Sequence, residues 1–496
     1  MVALRYSFLS GQVPEIVRNS VDGQAAITAI KEVVGDNGWL SDAADVEPYV
    51  NEWLKILEGT CQMVVRPGTT EQVAQVIYIC HNAGISITPQ GGNTGMVGGA
   101  VPDGGIVLST ERLNNVRELD ADNATLTVEA GCLLADVQAT ASAAGFLFPL
   151  TLASEGSCCI GGNIATNAGG NNTVRYGNTR ERVLGLEVVL PDGRVWDGLR
   201  GLRKDNTGYD LKQLFIGAEG TLGVITAAVL SLVPAPRDRV TAMATAKNWE
   251  DLLKLFRIMR GRLSGSLIAF EVFTDLGMEI TVDHIDDAHD PFTDAHSLYS
   301  LMEAACYDNE AAVREAVEKG LGEAFEDGIV TDAVIAESGQ QAANLWNVRE
   351  GLPEAQSMEA MVIKHDVSIP ISRVPEYVAQ GGSIVTQTIP GARLLPFGHM
   401  GDGNLHFNVL QPNDMGRDAF LAFKNGINRK LHDLAIAMGG TFSAEHGVGL
   451  NKVGDLAHYR SDVEIDLMAR VKQAFDPANI MNPGKVIDIG SRVSAF

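Results

Sequence analysis

The residues best suited to chemistry lie on either side of a glycine-rich turn in the C-terminal part of the chain. His399 precedes the turn at residues 401–403, and His406 and Asn408 follow it. Glycine tolerates the positive φ that such a turn needs. Residues 405–408 then alternate apolar and polar side chains, which predicts a strand with one buried face. On that strand His406 and Asn408 point to the same side, and His399 is able to face them.

A second segment with catalytic potential spans residues 443–449. It contains Glu445 and His446, followed by glycines. Two imidazoles and a carboxylate on separate segments suit a catalytic metal ion with an open coordination position. The alternative is that the histidines only stabilise turns. The presence of the second segment favours the metal site.

Composition limits the classes of protein to which the chain can belong. At 496 residues it is too long for one core, so two or three domains are expected. A hydrophobic share of 45% and a charged share of 20% are typical of a soluble globular protein. The 62 acidic and 38 basic residues give a formal charge of −24, which argues against a nucleic-acid partner.

Cysteine spacing and hydropathy indicate the compartment. The six cysteines show no CxxC spacing, so reduced and mostly buried thiols are expected. The N-terminus lacks the apolar core of a signal peptide, and no run approaches the roughly 18–20 apolar residues of a transmembrane helix. The sequence therefore predicts a cytoplasmic protein that does not cross a membrane.

A βαβ unit begins the well-patterned part of the chain. Residues 63–65 form a predicted strand, and Thr69 or Thr70 can cap a helix that ends at Gly84. Residues 85–88 form the next predicted strand. Further on, residues 188–190 and 194–196 predict a hairpin around Pro191, Asp192 and Gly193.

Three glycine-rich segments stand out in the N-terminal half, at residues 89–99, 149–170 and 216–226. Glycine lets backbone N–H groups approach a ligand closely, as in anion-binding nests. The first segment does not have the G-x-G-x-x-G spacing that opens a Rossmann helix, so a Rossmann domain is disfavoured. A mobile surface loop is the alternative for a single segment of this kind.

In order and spacing, these segments resemble the flavin loops of a known family. They read P-x-G-G-x-T-G, G-G-x-I-A-T-N-A-G-G followed by R-Y-G, and G-x-E-G-T-L-G-V-I-T. The chain is similar to the FAD-linked oxidases of the vanillyl-alcohol-oxidase/p-cresol-methylhydroxylase fold. The two histidine segments and Asn482-Pro483-Gly484 resemble its D-2-hydroxyacid dehydrogenase branch, and most closely the D-2-hydroxyglutarate and D-lactate dehydrogenases.

The resemblance implies an α+β fold with an FAD-binding domain of two subdomains and an antiparallel-sheet substrate domain. The implied divisions are an N-terminal lead-in at 1–45, the FAD domain at 46–236, the substrate and metal domain at 237–455, and a C-terminal segment at 456–496 that returns to the flavin. It also implies that FAD contacts the three loops and the C-terminal segment. The implied contacts are Pro89, Gly91, Gly92, Asn93, Thr94, Gly95, Pro149, Gly156, Ser157, Gly161, Gly162, Asn163, Thr166, Asn167, Gly169, Glu219, Gly220, Gly223, Ile225 and Asn482. Some relatives tether FAD through a histidine where this chain has Asn93, so noncovalent FAD is expected.

The resemblance also implies roles for the catalytic residues. His399, His406 and Glu445 would hold a divalent metal that lowers the pKa of the substrate hydroxyl, and His446 would be the general base. Zn²⁺ is the implied metal, although Mn²⁺, Fe²⁺ and Co²⁺ also suit these ligands. The substrate contacts would be Arg349, Lys364 and Asn408. Lys364 is predicted to alternate with Asp366 and Ser368 along a strand.

The expected reaction is oxidation of a D-2-hydroxyacid to the 2-oxoacid, with hydride transfer to flavin N5. D-2-hydroxyglutarate is favoured, with D-lactate or D-malate next. The latter two stay open because Pro353 stands where some 2-hydroxyglutarate enzymes carry a threonine. An electron-transfer flavoprotein or a quinone would accept the electrons, and a homodimer is one candidate assembly. The alternatives are a flavin-carrying electron-transfer subunit of a multi-protein glycolate or lactate oxidase and a non-redox relative of the ether-lipid synthases. The acids and histidines of residues 282–290 are interpreted as a solvated loop.

Overall fold

The computed structural model describes residues 23–52, 55 and 57–489 of the chain. Within this part, four sheets and their helices follow one another along the sequence. Short 3-10 helices lie at Asp36–Gly38, Ser264–Ser266 and Ile371–Arg373. No helix in the described ranges is both long and apolar enough to cross a bilayer.

The first unit is a small α/β layer with strand order β1-β2-β4-β3. Strands β2, β4 and β3 are parallel, and β1 is antiparallel to β2. The βαβ prediction is confirmed, with β4 lying between the two predicted strands. The elements are α1 (Gly23–Val34), β1 (Trp39–Leu40), α2 (Ala43–Val50), β2 (Met63–Val65), α3 (Thr70–Ala83), β3 (Ile87–Gln90) and β4 (Ile106–Ser109).

The ends of α3 follow the expected capping chemistry. Thr69 Oγ1 accepts a hydrogen bond from Gln72 N at 3.2 Å, and Gly84 ends the helix with φ +66°. Ile85 N still bonds back to Cys80 O at 3.0 Å. Strand β3 therefore starts at Ile87, two residues later than predicted, because the helix cap uses the intervening backbone.

The second unit is an antiparallel sheet with strand order β5-β6-β10-β8-β9. The predicted hairpin is confirmed, because β8 pairs with β9 through Val189 and Val195. Strands β7 and β11 form a separate pair. The elements are β5 (Val116–Asp120), β6 (Thr125–Glu129), α4 (Leu134–Ala143), β7 (Phe146–Leu147), α5 (Ile160–Thr166), α6 (Thr173–Tyr176), α7 (Thr179–Arg182), β8 (Val183–Val189), β9 (Val195–Gly198), α8 (Lys212–Phe215), β10 (Val224–Ser231) and β11 (Val233–Pro234).

The third unit is built on a large antiparallel sheet of order β15-β12-β14-β13-β18-β19-β16, with β17 also pairing with β19. Helices cover both of its faces. The elements are β12 (Asp238–Ala246), α9 (Trp249–Leu263), β13 (Leu267–Thr274), α10 (Asp275–His284), β14 (Leu298–Cys306), α11 (Glu310–Glu326), β15 (Val330–Ile335), α12 (Gly339–Glu359), β16 (Val362–Ile363), β17 (Asp366–Ser368), α13 (Val374–Thr388), β18 (Arg393–His399) and β19 (Asn404–Leu410).

Four further helices follow the large sheet in the described part of the chain. They are α14 (Arg417–Leu421), α15 (Lys424–Ala437), α16 (Val453–Tyr459) and α17 (Asp462–Phe475). Beyond α17, Ile480 and Met481 are buried in the core of the first unit. Asn482 N donates to Ile87 O at 2.7 Å. The C-terminal segment thus packs against the first sheet, while the exact domain boundaries stay predictions.

Candidate active site

The hairpin formed by β18 and β19 positions His399 and His406. His399 ends β18 and pairs with Asn404, and the intervening turn lets His406 follow on the neighbouring strand. The two rings lie 5.7 Å apart between centroids. The predicted buried face of β19 is confirmed, and the opposite face is covered as well. Leu405 and Phe407 are buried in one core, and on the other face Asn408 bonds to Gln356 of α12, so helices cover both sides of the strand.

Four side chains converge beside this hairpin. One ligand atom each from Asp366, His406, Glu445 and His446 lies within 4.8 Å of the others. Glu445 Oε1 lies 3.6 Å from His406 Nε2 and 3.8 Å from His446 Nε2. Two imidazoles around a carboxylate are a donor set that a divalent cation such as Zn²⁺ accepts. Glu445 and His446 are thus brought together with His406, as predicted.

His399 stands beside this group rather than within it. Its Nδ1 makes a 2.8 Å hydrogen bond to Glu271 Oε1, which leaves Nε2 as its remaining ring nitrogen. Burial disfavours the imidazolium, but the Glu271 carboxylate outweighs burial and raises the pKa of His399 to about 9. A metal ion that binds Nε2 of this imidazolium would have to displace the proton on that nitrogen. The metal role of His399 stays a prediction.

Asp366 is the buried support of the second catalytic segment. Its Oδ2 accepts backbone N–H groups from Ala444, Glu445 and His446 at 3.0–3.1 Å. Asn404 Nδ2 donates to its Oδ1 at 2.9 Å. Because three donors already surround Oδ2, Asp366 suits a positioning role better than that of a metal ligand. The carboxylate holds the backbone that carries Glu445 and His446.

Arg349 lies in α12 with its guanidinium buried against Glu271. Arg349 Nε and Nη2 lie 3.0 and 2.8 Å from Glu271 Oε2. Two guanidinium nitrogens of Arg349, which is predicted to contact the substrate, are therefore already used on a protein carboxylate. A substrate would meet the rest of the guanidinium, whose centre lies 5.1 Å from the Phe397 ring.

The strand predicted for Lys364, Asp366 and Ser368 is interrupted. Val362–Ile363 and Asp366–Ser368 are strands, but Lys364 and His365 are not, because Asn408 Oδ1 accepts from His365 N at 2.9 Å in place of a backbone carbonyl. Burial lowers the pKa of the Lys364 ammonium. Asn408 thus holds the backbone of the short segment that carries Lys364 and His365.

The first two flavin loops pack directly on each other. A Cβ added at Gly92 would lie 2.0 Å from Ser157 O, and one at Gly91 would lie 3.2 Å from Cys159 Cβ. Asn93 adopts φ +52°, and its Nδ2 donates to Pro48 O and Asn51 O. Its side chain is an amide held by backbone, which offers no nucleophile for a covalent flavin link.

Glu219 joins the third flavin loop to the second catalytic segment. Its buried carboxylate accepts from Val448 N and Gly449 N at 2.8 Å each. Its backbone oxygen accepts from Asn482 Nδ2 at 2.8 Å, and the same amide group donates to Gly99 O. Glu219 and Asn482 therefore hold the first loop, the third loop and the C-terminal segment together.

The residues around these loops suit a bound flavin nucleotide. Space is open beside the Cα atoms of Gly95, Gly156 and Gly162, where an added Cβ would meet nothing within 4 Å. Among the described residues, Asn482 Oδ1 is a buried acceptor without a hydrogen-bond partner. Exposed backbone and an orphaned buried oxygen are features that a ligand of this size and polarity would complete.

The other predicted cofactor residues flank the same loops. Asn167 ends α5 with φ +52°, and its Oδ1 accepts from Arg180 N at 2.9 Å. The remaining predicted residues are distributed over all three loops and the elements beside them. Pro89 is on β3 and Thr94 in the first loop; Pro149 and Ser157 precede α5, and Gly161, Asn163 and Thr166 are on it; Gly220 and Gly223 are in the third loop and Ile225 is on β10. A Cβ on Gly169 would lie 3.6 Å from Glu445 Oε2, which places the second flavin loop against the catalytic cluster.

Other histidines lie elsewhere. His81, His432 and His458 are on α3, α15 and α16, as predicted. The interpretation of residues 282–290 as a loop is only partly correct, since α10 extends to His284 and His284 Nε2 bonds to Glu359 at 2.9 Å. Within the described residues this segment is outside the cluster that could hold a metal.

Two functional residues were missed or misjudged from the sequence. Glu271 was not identified, although an acid in the apolar strand β13 signals a buried partner. Asp366 was noted only as a neighbour of Lys364. Its role depends on contacts with residues about eighty positions away, which no local pattern reveals.

Comparisons with known proteins show the family to which the chain belongs. Residues 61–198 match the FAD binding domain family, and residues 235–486 match the C-terminal domain of FAD linked oxidases. The chain is 39% identical over 451 residues to the D-2-hydroxyglutarate dehydrogenase of Xanthomonas citri pv. viticola, covering 90% of this chain and 94% of that protein. It is 37% identical to the mitochondrial D-2-hydroxyglutarate dehydrogenase of Bos taurus over 94% of this chain and 84% of that protein.

Solved structures show the same fold at low sequence identity. p-Cresol methylhydroxylase with substrate bound gives a TM-score of 0.76 at 17% identity, over 95% of this chain and 98% of that one. Alkyldihydroxyacetonephosphate synthase gives 0.71 at 15% identity, over 93% and 84%. The fold prediction is thus confirmed. The chain belongs to the family of FAD-linked oxidases that includes the D-2-hydroxyglutarate dehydrogenases.

Proposed function

We propose that the protein is an FAD-dependent dehydrogenase that oxidises a D-2-hydroxyacid, with D-2-hydroxyglutarate as the favoured substrate, to the 2-oxoacid. One observation carries the proposal. The cluster of His406, Glu445 and His446 lies against the flavin loop at Gly169. A Cβ atom built on Gly169 would lie 3.6 Å from Glu445 Oε2. Acid–base groups next to a flavin site are what oxidation of a hydroxyl requires.

His446 is the proposed general base. Its Nδ1 lies 3.4 Å from the buried carboxylate of Asp366, and its Nε2 faces the cluster. With the ring oriented in this way, Nε2 is available to take the proton of the substrate hydroxyl. Bound FAD supplies the acceptor for the C2 hydride. Noncovalent attachment is part of the proposal, because Asn93 holds backbone carbonyls.

We further propose that a divalent cation, with Zn²⁺ favoured, binds at His406, Glu445 and the Nε2 side of His399. The donor set supports this proposal, and Mn²⁺, Fe²⁺ and Co²⁺ are accepted by the same ligands. When bound, such an ion lowers the pKa of a hydroxyl group that it contacts. Asp366 keeps Glu445 in place by holding its backbone N–H.

Two cationic side chains support an acidic substrate. Arg349 offers the part of its guanidinium not used by Glu271, and Lys364, two residues before Asp366, offers a half-buried ammonium. Two cations suit a dicarboxylate such as 2-hydroxyglutarate, and the names of the relatives in Xanthomonas and Bos point to the same substrate. Pro353, which lies inside α12, provides no hydroxyl for the distal carboxylate, so D-lactate and D-malate belong in the test.

The remaining proposals concern the setting of the reaction. An electron-transfer flavoprotein or a quinone is the proposed acceptor, the proposed location is the cytoplasm, and a homodimer is the proposed assembly. They are supported by the resemblance and the composition discussed above.

The test is anaerobic flavin reduction by a panel of acids. Purified protein would be mixed with D- and L-2-hydroxyglutarate, D- and L-lactate, D-malate and glycolate, and flavin absorbance would be followed in a stopped-flow instrument. Fast bleaching by D-2-hydroxyglutarate supports the proposal, and faster bleaching by another D-acid changes the substrate. A flavin that no acid bleaches contradicts the dehydrogenase and favours the electron-transfer subunit.

A further inference from the structure

We propose that Glu271 is a positioning residue that fixes the substrate-binding arginine and the active-site histidine with one carboxylate. This inference rests on the proposed function, because it assigns Arg349 and His399 to the substrate and to the metal. Glu271 itself reaches neither.

The geometry of Glu271 divides its two oxygens between two partners. Oε1 bonds to His399 Nδ1 at 2.8 Å, and Oε2 receives Arg349 Nε at 3.0 Å and Nη2 at 2.8 Å. The side chain of Glu271 is 1% exposed, and those of His399 and Arg349 are 8% and 5% exposed. Water therefore cannot replace any of these three bonds without opening the core.

The sheet explains why the three residues meet. Glu271 lies on the central strand β13, directly opposite His399 on β18 in the antiparallel register. Arg349 approaches from α12, with Phe397 of β18 packed beside its guanidinium. Because the backbone pairing of β13 and β18 is fixed, Glu271 has a defined position from which to orient both partners.

The consequence for His399 is that Nδ1 is fixed as a hydrogen-bond donor. A carboxylate only accepts hydrogen bonds, so Nδ1 keeps the proton that lies between the two groups, and the proton that a cation would displace is the one on Nε2. A ring nitrogen oriented in this way is the usual state of a metal-binding histidine, whose other nitrogen donates to a carboxylate. Glu271 would thus prepare His399 for the cation.

The consequence for Arg349 is a fixed orientation of its guanidinium. Nε and Nη2 both bond to Glu271 Oε2, so a substrate carboxylate would have to bind the remaining N–H groups. The negative charge of Glu271 also balances the buried guanidinium, which would otherwise be costly. Substrate binding and metal binding should therefore respond together when Glu271 is changed.

Glu271→Gln tests this shared role with little change of volume. The amide N–H₂ group of the glutamine must face one of two groups that already donate. It either repels the Arg349 guanidinium, or it donates to His399 Nδ1 and forces the proton of that ring onto Nε2. The matched control is Glu303→Gln. Glu303 is a buried carboxylate on the adjacent strand β14, bonded to Arg239 and Trp346 but to no histidine.

Both variants would be purified with FAD, loaded with Zn²⁺, dialysed and analysed for zinc per flavin, and then assayed for kcat and KM. We expect Glu271→Gln to keep FAD, to lose zinc affinity by about 10- to 100-fold, and to raise KM by a similar factor. Glu303→Gln should match the wild type in both measurements. Wild-type zinc affinity and KM in Glu271→Gln would overturn the proposal.

Two arrangements keep the test decisive. Should Glu271→Gln fail to fold, the double variant Glu271→Gln/Arg349→Gln removes both buried charges, and it should still lose zinc affinity because the acceptor of His399 Nδ1–H is no longer a carboxylate. Zinc affinity at the wild-type level in the double variant would overturn the proposal. Should the wild-type enzyme oxidise no acid, the proposed function fails, while zinc affinity still decides the role of Glu271.

Discussion

Asp366 Oδ2 lies 3.4 Å from His446 Nδ1 and also accepts the backbone N–H of His446 at 3.0 Å. Burial alone would raise the pKa of this carboxyl group, but the nearby His446, Lys452 and His406 and the backbone donors hold it well below its usual range. The carboxylate therefore stays ionised while it orients His446. This relationship makes His446 the residue whose loss should stop proton removal.

Replacing His446 with alanine should leave FAD bound and slow flavin reduction by the best D-acid at least about 100-fold, the usual contribution of a general base. The rate would be measured anaerobically by stopped-flow absorbance. His458→Ala is the control, because His458 is an exposed histidine on α16. Reduction at the wild-type rate in His446→Ala would remove that residue from the base role.

Replacing Arg349 with lysine should raise KM by about 10- to 100-fold and affect kcat less, because an ammonium cannot bond to Glu271 and a substrate carboxylate in the same planar geometry. Steady-state kinetics with an artificial acceptor would measure both constants. Arg239→Lys is the matched control, since Arg239 pairs with Glu303 on the same sheet. An unchanged KM in Arg349→Lys would contradict its role in binding the carboxylate.

Replacing Gly92 with alanine should abolish FAD binding. The new methyl group would lie 2.0 Å from Ser157 O, so the first two flavin loops could not keep their contact. The flavin-to-protein absorbance ratio after gel filtration measures the effect. Gly416→Ala is the control, because an added Cβ there meets nothing within 4 Å. A full complement of FAD in Gly92→Ala would show that this loop contact is not needed for the cofactor.

His432 should make the fold sensitive to acid. Burial first, and then the neighbouring His365, Lys452 and Arg429, lower its pKa to about 3, against the smaller opposite effect of Asp366. The unfolded chain binds this proton near pH 6.5, so the stabilisation is complete above that pH and is lost as the pH falls towards 3. At pH 5 the loss from this one group is about 2 kcal/mol.

Urea unfolding at pH 7 and pH 5 would measure this effect. We expect the stability of His432→Gln to fall less than that of the wild type between the two pH values, while His458→Gln, changed at an exposed position, keeps the wild-type dependence. The same pH dependence in His432→Gln and the wild type would contradict a buried neutral His432.

Much of the site could be predicted because its parts are local in sequence. The glycine turn between His399 and His406 and the cap and end of α3 depend on neighbouring residues, and each was confirmed. The flavin loops were found because their glycines are closely spaced and occur in a characteristic order.

The rest depends on contacts that are distant in sequence. Glu271 meets His399 across 128 positions, and Asp366 meets His446 across 80. The alternation of β19 could not reveal that α12 covers its polar side through Gln356 and Asn408. Likewise, the alternation of residues around Lys364 predicts a continuous strand, which the side chain of Asn408 interrupts.

The most direct test of the proposed reaction is anaerobic flavin bleaching by D-2-hydroxyglutarate before chelation, after chelation and after addition of Zn²⁺. We expect rapid bleaching that chelation abolishes and Zn²⁺ restores, with no bleaching by the L-enantiomer. Rapid bleaching that survives complete removal of metal would retain the dehydrogenase and contradict the proposed metal site. A flavin that neither enantiomer reduces, even with Zn²⁺ present, would contradict both the dehydrogenase and its metal site.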